Sequence, residues 1–322
     1  MIINLVNKVT IMIPTYNQAF FIKETIDSAL AQDYPNLEVI IADDCSTDNT
    51  CEIVKQYSFD SRIKYIQNKE NLGRVENYRN TLYEHATGKY VLNLDGDDWL
   101  TETTFISQAV KFLEADKDIM CVMARVKIYQ QENDNYKIAK VNSYHLPEVL
   151  TAKEYLYLYS RGKAVFAHMS TLYRREEALS IKFYFHDIAW TDMESIFRLI
   201  CNKKLAFINS YVGCWRDHGV NETYKFYKNV KIEKLCFAEE NIANFYLQNG
   251  YTNAEVDEWL GEWKYRRYLN FLIFSLKRSD FKRLKEILQF IMHDKTLCSI
   301  CTYIRLLKDM LVKLISMRGK QI

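Results

Sequence analysis

From Val9 to Leu94 the chain alternates short apolar runs with segments whose apolar residues recur at helical spacing. Val9–Ile13 and Leu37–Ala42 are strand-length runs, and between them Phe21, Ile22, Ile26, Ala29 and Leu30 fall on one helical face. The same reading predicts a helix over Cys51–Tyr57, a strand over Arg62–Gln67, a helix over Val75–His85 and a strand over Tyr90–Leu94. Strict alternation of this kind predicts an α/β fold: a Rossmann-like, mostly parallel, doubly wound sheet with helices on both faces. Such a sheet holds its ligands beyond the carboxyl ends of its strands.

Further along, Thr101 is placed to cap a helix reaching Ala115, and Ile119–Tyr129 with Tyr136–Val141 reads as a strand pair around Glu132-Asn133-Asp134-Asn135. Thr151 and Glu154 have capping-box spacing ahead of a Tyr/Leu-rich helix, and His168–Tyr173 reads as a strand. Thr191 and Glu194 repeat the capping spacing ahead of a helix through Ile200. Beyond Gly219 the strand signals stop and long helical patterns begin. The expected organisation is a domain at 1–219, made of halves at about 1–115 and 116–219, followed by a helical region at 220–322.

Composition narrows the function. At 322 residues and 48% hydrophobic content the chain can bury a large core. Lys+Arg 43 against Asp+Glu 41 leaves a formal net charge of +2, so no bulk field favours nucleic acid as a partner. The cysteines sit mostly inside apolar patterns, as buried thiols do, and Cys298-Ser-Ile-Cys301 lacks the second pair that a metal site of this spacing needs. No leader pattern and no run near ~20 apolar residues appears, so a cytoplasmic location is expected. Amphipathic stretches at Trp263–Tyr268 and Ile304–Ile315 suit packing or a homo-oligomer contact, and the last is a candidate for peripheral contact with the inner face of a membrane.

Three strand ends carry polar clusters: Pro14-Thr15-Tyr16-Asn17, Asp43-Asp44-Cys45-Ser46-Thr47-Asp48 and Asp95-Gly96-Asp97-Asp98. Carboxylates packed around Gly96 can hold Mg²⁺ or Mn²⁺, or can cap the helix that follows. Asp44 can accept a hydrogen bond from a base or ribose, while Ser46 to Asp48 suits a helix start. The ring of Tyr16 can stack on a nucleobase or pack. Asp192, in the first turn of its predicted helix, is placed to stay ionised and accept a proton, or simply to serve the cap. His218 can ligate a metal, contact phosphate or make a structural hydrogen bond; Arg74 and Arg79 can reach a diphosphate or remain surface charges.

Taken together, Val9–Asn17, Ile40–Asp48, Asn71-Leu72-Gly73 with Arg79-Asn80, Gly88-Lys89-Tyr90 and Leu94–Asp98 resemble the family 2 glycosyltransferases of GT-A fold, densely to about residue 115 and loosely to Gly219. The resemblance implies inverting, metal-dependent transfer from a nucleotide-diphosphate sugar, a UDP-hexose or UDP-N-acetylhexosamine, to a hydroxyl of a glycan or lipid-linked acceptor in cell-surface polysaccharide synthesis. It implies that Pro14, Tyr16 and Asp44 line the nucleotide, with Arg79 and Gly96 also on the donor side. Asp95 then serves ribose and metal, Asp97 ligates Mn²⁺ or Mg²⁺ with His218 as a further candidate, and Asp192 is the base. The family's base lies in a Glu-Asp pair, and here Thr191 replaces the Glu. Trp99 and Trp190 can stack on sugar faces or pack in the core. The alternatives are a catalytically silent sugar-nucleotide binder and a receiver-type signalling domain.

Overall fold

The computed structural model describes residues 6–139, 144–188, 190–219, 221, 230–294, 305–306 and 308–310. The Cys298/Cys301 pair, most of the Ile304–Ile315 segment and the end of the strand read to Val141 lie outside the described residues. The chain separates into two compact units, Met1–Tyr155 with Ala164–Gly219, and Leu156–Lys163 with Val220–Ile322.

The first unit is built on one ten-stranded sheet. Its parallel part consists of β1 (Val9–Thr15), β2 (Leu37–Asp43), β3 (Ile63–Gln67) and β4 (Tyr90–Asn93), in the order β3-β2-β1-β4. The helices between them are α1 (Ile22–Leu30), α2 (Thr50–Lys55) and α3 (Arg74–Asn80). Every residue of β1 is buried, as a strand covered on both faces requires. Ile22, Ile26 and Ala29 of α1 pack into the same core as Ile11, Ile13, Val39 and Ile41. In register, Pro14 stands beside Ala42 and Thr15 beside Asp43, so the polar residues after β1 and β2 emerge side by side.

Past β4 the sheet becomes mixed. A short β5 (Trp99–Leu100), α4 (Phe105–Ala115), β6 (Ile119–Gln130), β7 (Asn135–Lys137) and β8 (Val149–Thr151) are followed by α5 (Ala152–Ser160), β9 (Thr171–Arg174), α6 (Arg175–Ser180), α7 (Thr191–Leu199) and β10 (Lys204–Asp217). β9 runs antiparallel between β4 and β6, which places the turn just before it at the edge where β4 ends. β10 runs parallel to β6 and carries Arg216 to that edge, while Gly213 and Cys214 pair with β5.

Several local expectations change. Thr101 does not cap α4, because its N–H bonds Val212 O at 2.8 Å beside the β5–β10 pairing and a turn through Thr104 precedes the helix, which starts at Phe105. The helix read over Val75–His85 is α3 followed by a π-helical turn, Thr81–His85. The Thr151/Glu154 capping box forms, with Glu154 N–H on Thr151 Oγ1 at 3.3 Å and Thr151 N–H on Glu154 Oε2 at 2.8 Å. The Thr191/Glu194 box does not, because Arg198 one turn later captures the fully buried Glu194 carboxylate at 2.7 Å. β5, β8, α6 and β10 were not expected, although Leu205–Ile208 and Val212–Trp215 are apolar enough to form strand.

In the second unit α8 (Phe237–Gln248), α9 (Asn253–Lys277) and α10 (Phe281–His293) enclose Trp259, Trp263, Tyr268 and Leu272. A full capping box at Thr252 and Glu255 opens α9. Buried charges are paired: Lys264 reaches Glu240 at 2.7 Å and Asp294 at 3.2 Å, and Arg267 reaches Glu239 at 2.5 Å. No described helix is long and apolar enough to cross a membrane.

One buried cation ties the two halves of the sheet. Arg174, at the end of β9, donates to Ile119 O at 2.7 Å, to Asp116 O at 3.2 Å and to Leu113 O, satisfying the last carbonyls of α4 and the start of β6. Replacing it by methionine keeps the stem but strands these acceptors in the core, and each such loss costs about 1 to 3 kcal/mol. Arg174→Met is expected to lower unfolding free energy by about 3 kcal/mol or more, read from urea titration; an unchanged midpoint would refute this role.

Candidate active site

The acid turn after β4 is shaped by contacts with elements far away in sequence. Asp98 N–H bonds Asp95 O at 2.9 Å, closing the turn, and the Thr25 hydroxyl of α1 donates to Gly96 O at 3.0 Å and Asp98 O at 2.7 Å. Gly96 is required by space: a Cβ there would stand 2.9 Å from Thr15 Oγ1 and 3.2 Å from Thr15 Cβ, at the end of buried β1. Arg216 grips the other side. Its Nε donates to Asp97 O at 2.8 Å, its backbone N–H donates to Asp98 Oδ1 at 2.9 Å, and its terminal nitrogen meets Glu24 of α1. The guanidinium lies 4.4 Å from the Trp99 ring centre, 4.9 Å from Phe21 and 5.5 Å from Tyr129, so Trp99 stacks on a cation of the protein.

The acids differ in environment. Burial, reinforced by Asp97 and Asp95, pushes the Asp98 carboxyl well above its ordinary range, against the pull of Arg216. Burial also raises Asp95, with Asp97 adding to the shift and His168, Tyr78 and Arg74 opposing it. Asp95 Oδ1 accepts from the Tyr78 hydroxyl at 2.6 Å and from Asn93 Nδ2 at 3.0 Å. Asp97 is more accessible, with 16% of its side chain exposed, and its Oδ2 lies 2.9 Å from His218 Nε2. The His218 ring stacks on Phe21 at 5.2 Å.

Beside this turn, the loops after β1 and β2 are laced together. Asn17, at φ 54°, accepts from Thr47 N–H at 2.8 Å, and its own N–H reaches Ser46 Oγ at 2.9 Å. Asp48 accepts from Ala19 N–H and Thr50 N–H at 3.0 Å; although burial opposes its charge, these bonds hold it below the usual carboxylate range. Pro14 is buried, whereas Tyr16 projects with 46% of its surface exposed. Asp44 is 2% exposed and accepts from Asn68 Nδ2 at 2.9 Å, Leu72 N–H at 2.8 Å and Gly73 N–H at 2.9 Å. It therefore shapes the Asn68–Gly73 loop, whose Gly73 has φ +85°.

The two arginines separate in their surroundings. Arg79 spends its guanidinium on Glu76 at 3.1 Å and on Tyr184 O at 3.2 Å, which braces the segment before α7. Arg74 donates to Ile188 O at 3.2 Å; although desolvation works against its charge, Tyr78, Asp192 and Asp95 hold it above its ordinary value. Of the two, Arg74 is the cation facing both the acid turn and Asp192.

Asp192 lies in the first turn of α7 with 19% of its side chain exposed, 3.8 Å from His168 Nδ1. Neighbouring Glu194 is held by Arg198, which also donates to Ile181 O at 2.5 Å and Lys182 O at 3.1 Å, fixing the approach to α7. The structure thus gathers Asp95, Gly96 and Asp97 in one turn, with His218, just past β10, against Asp97; it sets Pro14, Tyr16 and Asp44 in the adjoining loops, and Asp192 across His168 from Asn93. Sequence reasoning missed Tyr78, Asn93, His168, Tyr184 and Arg216. Arg216 stands two residues before His218 and Asn93 two residues before Asp95, and that closeness to singled-out residues is the signal that could have found them.

The donors that could hold a cation are Asp97 and His218, with Asp95 beside them. Among the described residues no group of three His, Cys, Asp or Glu side chains is arranged to hold a metal ion. An oxygen and an imidazole nitrogen supply part of a shell for Mg²⁺ or Mn²⁺, hard ions that commonly take the remainder from phosphate and water.

Comparison with known proteins bears on the family and the fold. The chain is 38% identical over 126 residues to a putative glycosyltransferase, EpsE, of Bacillus subtilis, covering 38% of this chain and 45% of that protein. It is 42% identical over 109 residues to the UDP-Glc:alpha-D-GlcNAc-diphosphoundecaprenol beta-1,3-glucosyltransferase WfaP of Escherichia coli, covering 34% of this chain and 42% of that one. The matches span less than half the length of either relative. In fold, the chain is similar to S. aureus TarS 1-349 in complex with UDP-GlcNAc, with TM-score 0.69, 21% identity, and coverage of 88% of this chain and 81% of that one. It is also similar to the mannosyltransferase PcManGT of Pyrobaculum calidifontis in complex with GDP-Man and Mn2+, with TM-score 0.58, 19% identity, and coverage of 97% and 81%. These neighbours establish a GT-A architecture with a helical C-terminal region. The model of glycosyl transferase family 2 matches residues 10–180, more than half of the 322, and the chain belongs to that family.

Proposed function

We propose that this glycosyltransferase moves a sugar from a UDP-hexose or UDP-N-acetylhexosamine to a hydroxyl of a glycan or lipid-linked acceptor, with inversion, at the cytoplasmic face of the membrane in cell-surface polysaccharide synthesis. The carrying observation is the convergence at one sheet edge of an exposed ring, Tyr16, a turn presenting Asp97 against His218 at the end of β10, and a separate carboxylate, Asp192. The relatives support the donor class: WfaP is named for UDP-Glc, and TarS was solved with UDP-GlcNAc. Residues 1–219 supply this chemistry in our reading.

Tyr16 stacks on the base, while Asp44 keeps the Asn68–Gly73 loop in the shape that borders it. Asp95 faces the ribose, and Arg74 carries positive charge toward the diphosphate. Asp97 and His218, with Asp95, would hold Mn²⁺ or Mg²⁺, whose charge favours departure of the diphosphate. Asp192 accepts the proton of the acceptor hydroxyl as its oxygen bonds the anomeric carbon. The bond from that carbon to the diphosphate breaks on the opposite face, and nucleoside diphosphate leaves. A single displacement of this kind inverts the centre and needs no covalent nucleophile.

Two variants test the reading. Asp97→Ala is expected to weaken Mn²⁺-dependent UDP binding at least about tenfold in calorimetry, since Mg²⁺-type sites lean on one or two carboxylates; binding equal to the parent would remove Asp97 from the site. Asp192→Asn is expected to keep UDP affinity while turnover drops by about 10² or more, the usual contribution of a general base. Parent-level turnover in that variant, measured as UDP release from UDP-GlcNAc or UDP-glucose, would place the base elsewhere.

A further inference from the structure

The mechanism above leaves a buried imidazole beside Asp192 unused. His168, in a single 3-10 turn before β9, is 8% exposed and stands between the two halves of the site. Its Nε2 lies 2.6 Å from the Tyr184 hydroxyl. Its Nδ1 faces two groups: Asn93 Nδ2 at 3.3 Å and Asp192 Oδ2 at 3.8 Å. Tyr78 lies against the ring at 5.6 Å and Phe166 at 6.4 Å.

The hydrogen-bond network favours one tautomer of the ring. Asn93 Nδ2 has two N–H groups; one reaches Asp95 Oδ1 at 3.0 Å and the other points at His168. Nδ1 is therefore the acceptor, and the ring proton sits on Nε2, donated to Tyr184. Burial lowers the affinity of the imidazole for a second proton, against the attraction of Asp192 and Asp95, which keeps the ring neutral. A 3.3 Å contact is a weak hydrogen bond, so the Nδ1 lone pair stays open to a stronger donor.

We infer that His168 is a positioning residue for Asp192, its Nδ1 lone pair receiving the O–H of the Asp192 carboxyl once that group has taken the acceptor's proton. The proton passes from the acceptor hydroxyl to Asp192 and stays there; nothing is oxidised and no further reactant is needed. While Asp192 is ionised, a lone pair faces a carboxylate and the pair stands 3.8 Å apart. Protonation of Asp192 turns that repulsion into a hydrogen bond, so the interaction strengthens only as the base does its work, which is the condition for lowering a barrier. Through Asn93 the same imidazole is tied to Asp95, so the base is oriented by the side of the site that receives the donor.

The inference rests on Asp192 acting as the base, and isosteric substitutions separate the two. In His168→Asn a side-chain oxygen can fall where Nδ1 stands, whereas the amide of His168→Gln falls where Nε2 stands. With UDP-GlcNAc and UDP-glucose as probes and Mn²⁺ present, UDP release by His168→Asn is expected to keep most of the parent kcat. His168→Gln is expected to lose about tenfold or more, a fraction of a general base's effect, with donor KM and calorimetric UDP affinity unchanged. In the Asp192→Asn background His168→Gln is expected to cost nothing further, because the residue acts through the one already removed. The reverse order of the two variants, or an equal loss with and without Asp192, would overturn the role of His168 and leave the base assignment standing. Parent-level turnover in Asp192→Asn, or none in the parent protein, overturns the reading on which it rests.

Discussion

Everything at this site depends on holding several carboxylates together in one turn. The protein does it with Arg216. Its charge is sunk among Phe21, Trp99 and Tyr129, and its hydrogen bonds go to the backbone of Asp97 and the side chain of Asp98. A guanidinium suits this task because its flat faces stack while its edge donates. Asp98 is thereby spent on structure, its carboxyl raised by burial, and Asp97 is left to project. Since Arg216 stands on the last strand of the sheet and Thr25 on the first helix, the turn forms only when distant parts of the unit have come together.

A second layer of organisation comes from the antiparallel strand β9. Had the sheet stayed parallel, the chain after β4 would have carried every later loop to the same side by crossover alone. Because β9 runs backwards between β4 and β6, the turn before it, with His168, is delivered to the edge where β4 ends in Asn93. One reversed strand thus brings Asn93, next to the acid turn, and the first turn of α7 within reach of a single imidazole.

The parallel part of the fold was legible because it rests on local pattern: β1 to β4 and the helices between them follow apolar periodicity closely, and their ends fix where ligands go. What followed β4 was harder. β10 escaped notice because polar residues at Asn209 and Ser210 interrupt its apolar runs, and pairing shifts register there. The box at Thr191 and Glu194 was a sound local pattern overruled by Arg198, a tertiary partner that spacing does not reveal. The site residues on strand ends were visible through their acids. Tyr78, Asn93 and His168 were not, since each is an ordinary core residue until the fold sets them side by side. Arg79 and Trp99 show the opposite case: both look suited to ligand, and both are committed within the protein.

The grip of Arg216 on the acid turn passes mainly through backbone and through Asp98, not through the Asp97 carboxylate. Shape and chemistry are therefore separable here. A lineage could exchange the side chain at position 97 and keep the turn, the sheet and the stack of rings intact. Likeness of fold would then outlive the chemistry of the turn.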